Sequence, residues 1–198
     1  QRPQLDGHYL LVTTALRMRI VGGTFSGRRF SPPTNTPARP TTDIAKEGLF
    51  NILYNMMDIE GARTCDIFGG TGSISYELAS RGAGELVLVE RDQGNINFIK
   101  KTAKELGISD KLHIIKGDVF KFMKQNTEQY DFIFAGPPYA LQNIDHLPML
   151  VFEKNMLAPN GIFVLEHTPR NDYQHHPHFK RMKNYGTTVF TFFTQAAE

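Results

Sequence analysis

Three carboxylates, a glycine-rich loop and a double-proline turn are the residues whose types and spacing could do chemistry in this chain. In Asp66-Ile67-Phe68-Gly69-Gly70-Thr71-Gly72-Ser73, the glycines let the backbone turn tightly and approach a ligand just before a helix N-terminus with free N–H groups. A dinucleotide fingerprint would need glycine where Ser75 stands, which speaks against a nicotinamide or flavin. Glu90 follows Gly70 by twenty residues and can accept both hydroxyls of a ribose. Asp118, in Lys116-Gly117-Asp118-Val119, can accept from an exocyclic adenine amine while the Val119 N–H donates to a ring nitrogen. Taken singly, these are a structural turn, a solvated surface acid and a helix N-cap. Taken together they face one edge, and they share it with Gly136-Pro137-Pro138-Tyr139.

That shared edge follows from the elements expected to carry the residues. Apolar runs predict strands at 63–68, 85–90, 112–116, 130–135 and 161–167, alternating with helices near 72–81, 92–106, 119–125 and 145–156. Repeated β-α-β with right-handed crossovers predicts an α/β fold, a doubly wound, Rossmann-like, mostly parallel sheet. Each motif then sits at a strand's carboxyl end, where such sheets bind ligands. The run Tyr130 to Ala135 must stop at Pro137 and Pro138, which have no N–H to donate to a ladder. At the tail, Phe179 to Lys183 and Thr187 to Phe193 flank Asn184-Tyr185-Gly186, predicting a closing antiparallel hairpin and seven strands in all.

Upstream, Leu49, Ile52, Leu53 and Met56 behind Thr41-Thr42-Asp43 predict an amphipathic helix over 43–57. Gly48 inside it costs about 1 kcal/mol against alanine and implies a close approach to backbone or ligand. Residues 19–30 alternate around Gly22, Gly23 and Gly27 as a short hairpin, and prolines 32, 33, 37 and 40 make an extended linker. The expected organisation is an upstream extension or expression remnant at 1–17, a basic hairpin and linker at 18–41, and the main domain at 42–198.

Length and composition fit one domain with a sizeable core. The single cysteine, Cys65, excludes an internal disulfide and leads an apolar strand, so it is expected in the core. No apolar run reaches the roughly 20 residues of a membrane span, and a cytoplasmic protein is expected. Arg17, Arg19, Arg28, Arg29 and Arg39 fall in a stretch without an acid, a block that attracts phosphate or is simply a solvated loop. His175, His176 and His178 lie in a polar loop without a supporting acid, so no metal site is expected. Glu166-His167 can border the pocket or reflect ordinary strand-end polarity.

These motifs, with Ser26-Gly27-Arg28-Arg29, Arg39-Pro40-Thr41-Thr42-Asp43, Lys46 to Asn51 and Ser80-Arg81-Gly82-Ala83, resemble the class I S-adenosylmethionine-dependent methyltransferases. More narrowly, the chain from Met18 onward resembles the ribosomal RNA small subunit methyltransferase D family, which methylates guanine N2. The resemblance implies S-adenosylmethionine contacts at Asp66, Phe68, Gly69, Gly70, Gly72, Glu90, Arg91, Asp118 and Val119. It implies RNA contacts at Arg28, Arg29, Arg39 and Thr41, and catalysis at Gly136, Pro137, Pro138 and Tyr139. The implied partner is small-subunit ribosomal RNA or an assembling small subunit, met by a monomer. Flipping of the base is implied too, because a paired N2 is buried in a helix.

The family keeps Asp-Pro-Pro-Tyr at this turn, where the aspartate and a main-chain carbonyl accept from the target amine. Here Gly136 stands in place of the aspartate, and Gly69 in place of the usual alanine. Losing such an acceptor typically costs on the order of 10² to 10⁴ in rate. Three readings stay open: an active enzyme in which water or another acid substitutes, an inactive natural variant, or a substituted chain. The rival functions are a catalytically silent S-adenosylmethionine and RNA binder, and a DNA adenine-N6 methyltransferase, which uses the same proline turn.

Overall fold

A computed structural model describes residues 18–34 and 41–195. Its first elements are a short antiparallel pair, β1 (Met18–Arg19) and β2 (Arg29–Phe30). The helix α1 (Asp43–Met56) follows, capped by Thr42, whose side chain accepts from the Ala45 N–H at 3.2 Å. From there strands and helices alternate: β3 (Arg63–Ile67), α2 (Ser73–Ser80), β4 (Glu85–Glu90), α3 (Gln93–Leu106) and β5 (Leu112–Lys116). The second half comprises α4 (Val119–Gln125), β6 (Tyr130–Ala135), α5 (His146–Glu153), β7 (Leu157–His167), β8 (Phe179–Tyr185) and β9 (Thr188–Thr194). Seven strands form one sheet in the order β5-β4-β3-β6-β7-β9-β8, parallel from β5 to β7, with β9 antiparallel to both neighbours. The order reverses between β3 and β6, which opens a crevice at their carboxyl ends.

Strand side chains alternate between the two faces, and both faces are covered. Leu86, Leu88, Phe132, Phe134 and Val164 pack with Leu49, Phe50 and Leu53 of α1 and Ile99 of α3. Cys65, Ile67, Val87, Val89, Ile133 and Leu165 face the other way, against Met123 of α4 and Leu147 and Val151 of α5. Cys65 is fully buried, and that burial pushes its thiol far above the ordinary range. Each such apolar side chain contributes about 1.5–3 kcal/mol by leaving water.

Three local expectations need correction. The last parallel strand begins at Leu157, not 161, because α5 ends early: Asn155 takes a left-handed φ of 48°. Its pairing with β6 skips from Leu157 to Ile162, an excursion where Pro159 loses no ladder bond. In the terminal hairpin the turn is Gly186-Thr187, with Tyr185 still paired to Thr188. Gly48 is explained by a side chain, neither backbone nor ligand: a Cβ there would lie 1.9 Å from the Tyr185 hydroxyl.

A buried ion pair locks the N-terminal hairpin onto this frame. Lys46 and Glu77 are 1% and 0% exposed, with Nζ 3.4 Å from Oε1. Glu77 also accepts from the Val21 N–H at 2.8 Å, the Gly22 N–H at 2.9 Å and Arg81 Nε at 3.0 Å. Lys46 donates to the Arg19 carbonyl and to Ser73 Oγ, at the start of α2. Burial lowers the Lys46 pKa, and Glu77 opposes that shift.

Candidate functional site

The crevice between β3 and β6 is a cavity of about 800 Å³ at the carboxyl edge of the sheet. The register explains who meets there. Ile67 of β3 pairs with Val89 on one side and Ala135 on the other, so Phe68, Glu90 and Gly136 emerge at one level. Ala135 in turn pairs with Leu165, which sets Gly136 opposite Glu166.

The glycine loop closes the crevice from below. Gly70 and Gly72 adopt φ of 58° and 89°, a left-handed conformation open to glycine at little steric cost. Phe68 shares it at 66°, an outlier for a bulky residue, and it lines the cavity. Gly69 donates to the Val89 carbonyl at 2.8 Å, and a Cβ on it would lie 2.3 Å from Leu88 Cδ2. Glycine rather than alanine at 69 therefore lets Leu88 close against the loop. Asp66 is 2% exposed, and its Oδ2 accepts from Ser75 Oγ at 3.0 Å. Ser75, the residue that broke the dinucleotide pattern, thus anchors the acid beneath the loop. Burial, followed by the Glu90 and Glu166 charges, holds the Asp66 carboxyl well above the usual range despite that hydrogen bond.

At the next strand, Glu90 is held by Asn95 Nδ2 at 2.8 Å and by the Arg91 N–H at 3.0 Å, and Glu90, Arg91 and Asn95 all border the cavity. Asp118 caps α4, its Oδ2 accepting from the Lys121 N–H at 2.9 Å, so the plain capping reading holds. It lines the cavity nonetheless, with Val119 and Phe120 beside it. Five acids, Asp66, Glu90, Asp92, Asp118 and Glu166, thus surround one space. Such a wall repels a pyrophosphate and favours a ligand carrying positive charge.

The opposite wall is the turn after β6. Pro137 is buried and Tyr139 half-buried, its hydroxyl 3.1 Å from Thr188 Oγ1 at the start of β9. A Cβ on Gly136 would sit 3.0 Å from Phe134 Cε1 and 3.9 Å from Glu166 Oε2. Glu166 is 9% exposed, and its Oε1 accepts from Thr41 Oγ1 at 3.1 Å. Its neighbour His167 turns into the sheet instead: Nδ1 donates to the Thr168 carbonyl and Nε2 accepts from Thr191 Oγ1, both at 2.7 Å. Burial depresses the His167 pKa, keeping the ring neutral.

The described residues among those expected at RNA do not gather. Thr41 lines the cavity, and Arg39 lies outside the described residues. Arg28 is exposed, stacked over Phe25 and Phe30, and reaches the Glu105 carbonyl near the end of α3. That end is 14 residues, roughly 20 Å, from the cavity end of the helix. Arg29 is also exposed, paired with Arg19 across the hairpin. The His176 and His178 rings lie against Phe152, that of His178 stacked at 3.9 Å. Sequence reasoning missed Asn95 and Phe120, whose first-turn positions after Glu90 and Asp118 were the available signal. It also missed Lys46, although a lysine spaced three, four and seven residues before Leu49, Phe50 and Leu53 lies on the apolar face.

A family model described as Conserved hypothetical protein 95 matches residues 18–194. The ribosomal RNA small subunit methyltransferase D of Haemophilus influenzae is 32% identical over 152 residues, covering 75% of this chain and 78% of that protein. A solved Thermus thermophilus hypothetical protein superposes with a TM-score of 0.77 at 25% identity, over 88% of this chain and 98% of that chain. A Thermus thermophilus 16S rRNA N2 methyltransferase, solved in complex with AdoMet and guanosine, shares the fold with a TM-score of 0.70 at 21% identity, over 92% of this chain and 50% of that chain. The chain therefore belongs to the Conserved hypothetical protein 95 family, in the company of the ribosomal RNA small subunit methyltransferase D proteins.

Proposed function

We propose that this protein is an S-adenosylmethionine-dependent ribosomal RNA methyltransferase acting on the exocyclic N2 of a guanine in small-subunit RNA. The observation that carries the reading is the single cavity shared by the glycine loop, Glu90, Asp118 and Pro137-Pro138-Tyr139. Its residues fit the donor molecule. Glu90 suits the ribose hydroxyls, Asp118 and the Val119 N–H the adenine, with Phe68 and Phe120 offering apolar faces, and the acid wall suits a sulfonium and an ammonium. Arg91 borders the same end. When bound, that donor supplies an electrophilic methyl group.

The chain's own residues then orient the acceptor. Tyr139 offers a ring against which a flipped base can stack, and the Pro137 carbonyl can accept one amine hydrogen. Holding the amine hydrogens aims the nitrogen lone pair into the cavity and supplies most of the entropic cost of alignment in advance. A guanosine-bound neighbour of the same fold, named as an N2 methyltransferase, supports the choice of nitrogen. Arg28, Arg29 and Arg39 are assigned to phosphates along the approach, in a cytoplasmic encounter with the RNA or the assembling subunit.

The test is transfer from radiolabelled S-adenosylmethionine to undermethylated small subunits and to naked RNA, followed by nucleoside analysis. Label in N2-methylguanosine is expected. No transfer by either the natural chain or Gly136→Asp would sink the reading, and label confined to adenine N6 of DNA would replace it.

A further inference from the structure

Nucleotides flanking a flipped guanine carry phosphates that need cations close to the cavity mouth, and Arg28 is not close: it reaches the far end of α3. The terminal hairpin supplies a nearer set. Tyr139 lines the cavity, its hydroxyl is 3.1 Å from Thr188 Oγ1, and Thr188 pairs with Tyr185 of β8. Traced back from Tyr185, β8 leads away from the mouth along the edge of the sheet. Side chains of one face recur at every second residue, so Lys183 and Arg181 follow Tyr185 on its face, about 7 and 14 Å along the strand. Their contacts agree: Lys183 Nζ is 5.9 Å from the centre of the Tyr185 ring, and the Arg181 guanidinium is 6.0 Å from that of Phe192.

Both cations are exposed, and neither makes an ion pair among the described residues. The helix beside them adds no acid. Tyr185 packs against Gly48 of α1, and the exposed Asn51 and Asn55 continue that row of the helix. Asp43 and Glu47, four residues apart, share a different side, where Asp43 holds Arg19 of the N-terminal hairpin at 3.0 Å. We infer that the RNA strand carrying the target guanine lies along this face of β8, its phosphates on Lys183 and Arg181 while the base enters past Tyr139. The inference rests on the methyltransferase reading above, which makes the ligand an RNA. Its support is positive charge without a neighbouring acid, continuous with the rim of the cavity. Cations on an edge strand also guard it from pairing with a second sheet, and the two roles differ in what their removal changes.

Arg181→Gln combined with Lys183→Gln removes both charges and keeps side-chain stems over Phe192 and Tyr185. Filter binding of undermethylated small-subunit ribosomal RNA across a salt series should then show a slope of log affinity against log salt shallower by about 1.4, or about 0.7 for each phosphate released. In the transfer assay the KM for that RNA should rise at least about fivefold with kcat within about twofold, the mark of lost binding rather than lost chemistry. Lys100→Gln combined with Lys101→Gln, an equal loss of charge on exposed positions of α3, should change the slope by less than about 0.3. An unchanged slope in the β8 variant, an equal change in the α3 variant, or a β8 variant that only self-associates in size-exclusion chromatography overturns the inference and leaves the methyltransferase reading standing. A natural chain that binds the RNA with the expected slopes yet transfers no methyl, alone or as Gly136→Asp, sinks that reading and leaves the β8 face as an RNA surface.

Discussion

Glu77 and Glu166 are both shielded glutamates, 0% and 9% exposed, on neighbouring layers of the same domain. Around Glu77 the protein supplies two backbone N–H groups, Arg81 and the ammonium of Lys46. Around Glu166 it supplies the Thr41 hydroxyl among other contacts, with a glycine and a cavity alongside. The first environment consumes the carboxylate's acceptor capacity internally and thereby fastens the N-terminal hairpin, α1 and α2 together. The second sets the carboxylate at the wall of a cavity. A buried charge surrounded by donors deep in the frame is architecture, whereas one at a cavity wall also shapes the field that a ligand meets.

The largest expected difference between the two is in stability. Glu77→Ala strands the Lys46 ammonium and two backbone donors, and urea denaturation should show a loss of about 3–5 kcal/mol. Glu166→Gln in the same assay should move stability by less than about 1 kcal/mol. Equal losses would erase the contrast between the two glutamates. Next in size is the seat of α1, which carries Lys46. Gly48→Ala should cost about 1–3 kcal/mol by driving a methyl into Tyr185, in spite of a helix-propensity gain of about 1 kcal/mol. The same change in a Tyr185→Ala background should turn stabilising, which isolates the clash as the cause.

Asp66 sharpens the comparison from the ligand side. Its carboxyl titrates above the unfolded value of about 3.9, because burial and the neighbouring acids disfavour its charge. Its contribution to stability is therefore fully present below the unfolded value and is lost as pH rises through the folded one. Asp66→Asn should flatten that part of the pH dependence and raise the neutral-pH melting temperature by about 2 °C or more, while weakening S-adenosylmethionine binding in calorimetry. A fall in melting temperature would show that the Ser75 contact outweighs the burial of charge. Smallest is Thr41→Val, which removes one donor to Glu166 Oε1: stability should stay within about 0.5 kcal/mol in urea denaturation.

The strands, helices and caps were legible in the chain because their causes are local. Asp92 caps α3 through the Asn95 N–H at 2.8 Å and Gly107 ends it at φ 71°, both within a few residues of the pattern that announces them. The glycine loop and the acids at 90 and 118 were legible for the same reason, each lying at the end of a readable strand or just before a readable helix. The misses have non-local causes. The early start of β7 depends on a bulge against β6, and Gly48 depends on a tyrosine 137 positions later, so neither has a signature in its own neighbourhood.

By itself the sequence determined the α/β alternation, the carboxyl edge where the loops converge, and the absence of a carboxylate from position 136, since periodicity, turn chemistry and residue identity are properties of short segments. Only the tertiary structure decided that the basic hairpin hangs on Glu77, that Arg28 lies at the far end of α3 from the cavity, and that Glu166 stands beside Gly136. The physical reason is register. Parallel pairing of β6 with β7 joins residues thirty positions apart, and the side-chain period of two makes that pairing choose Glu166 for the cavity and send His167 into the sheet.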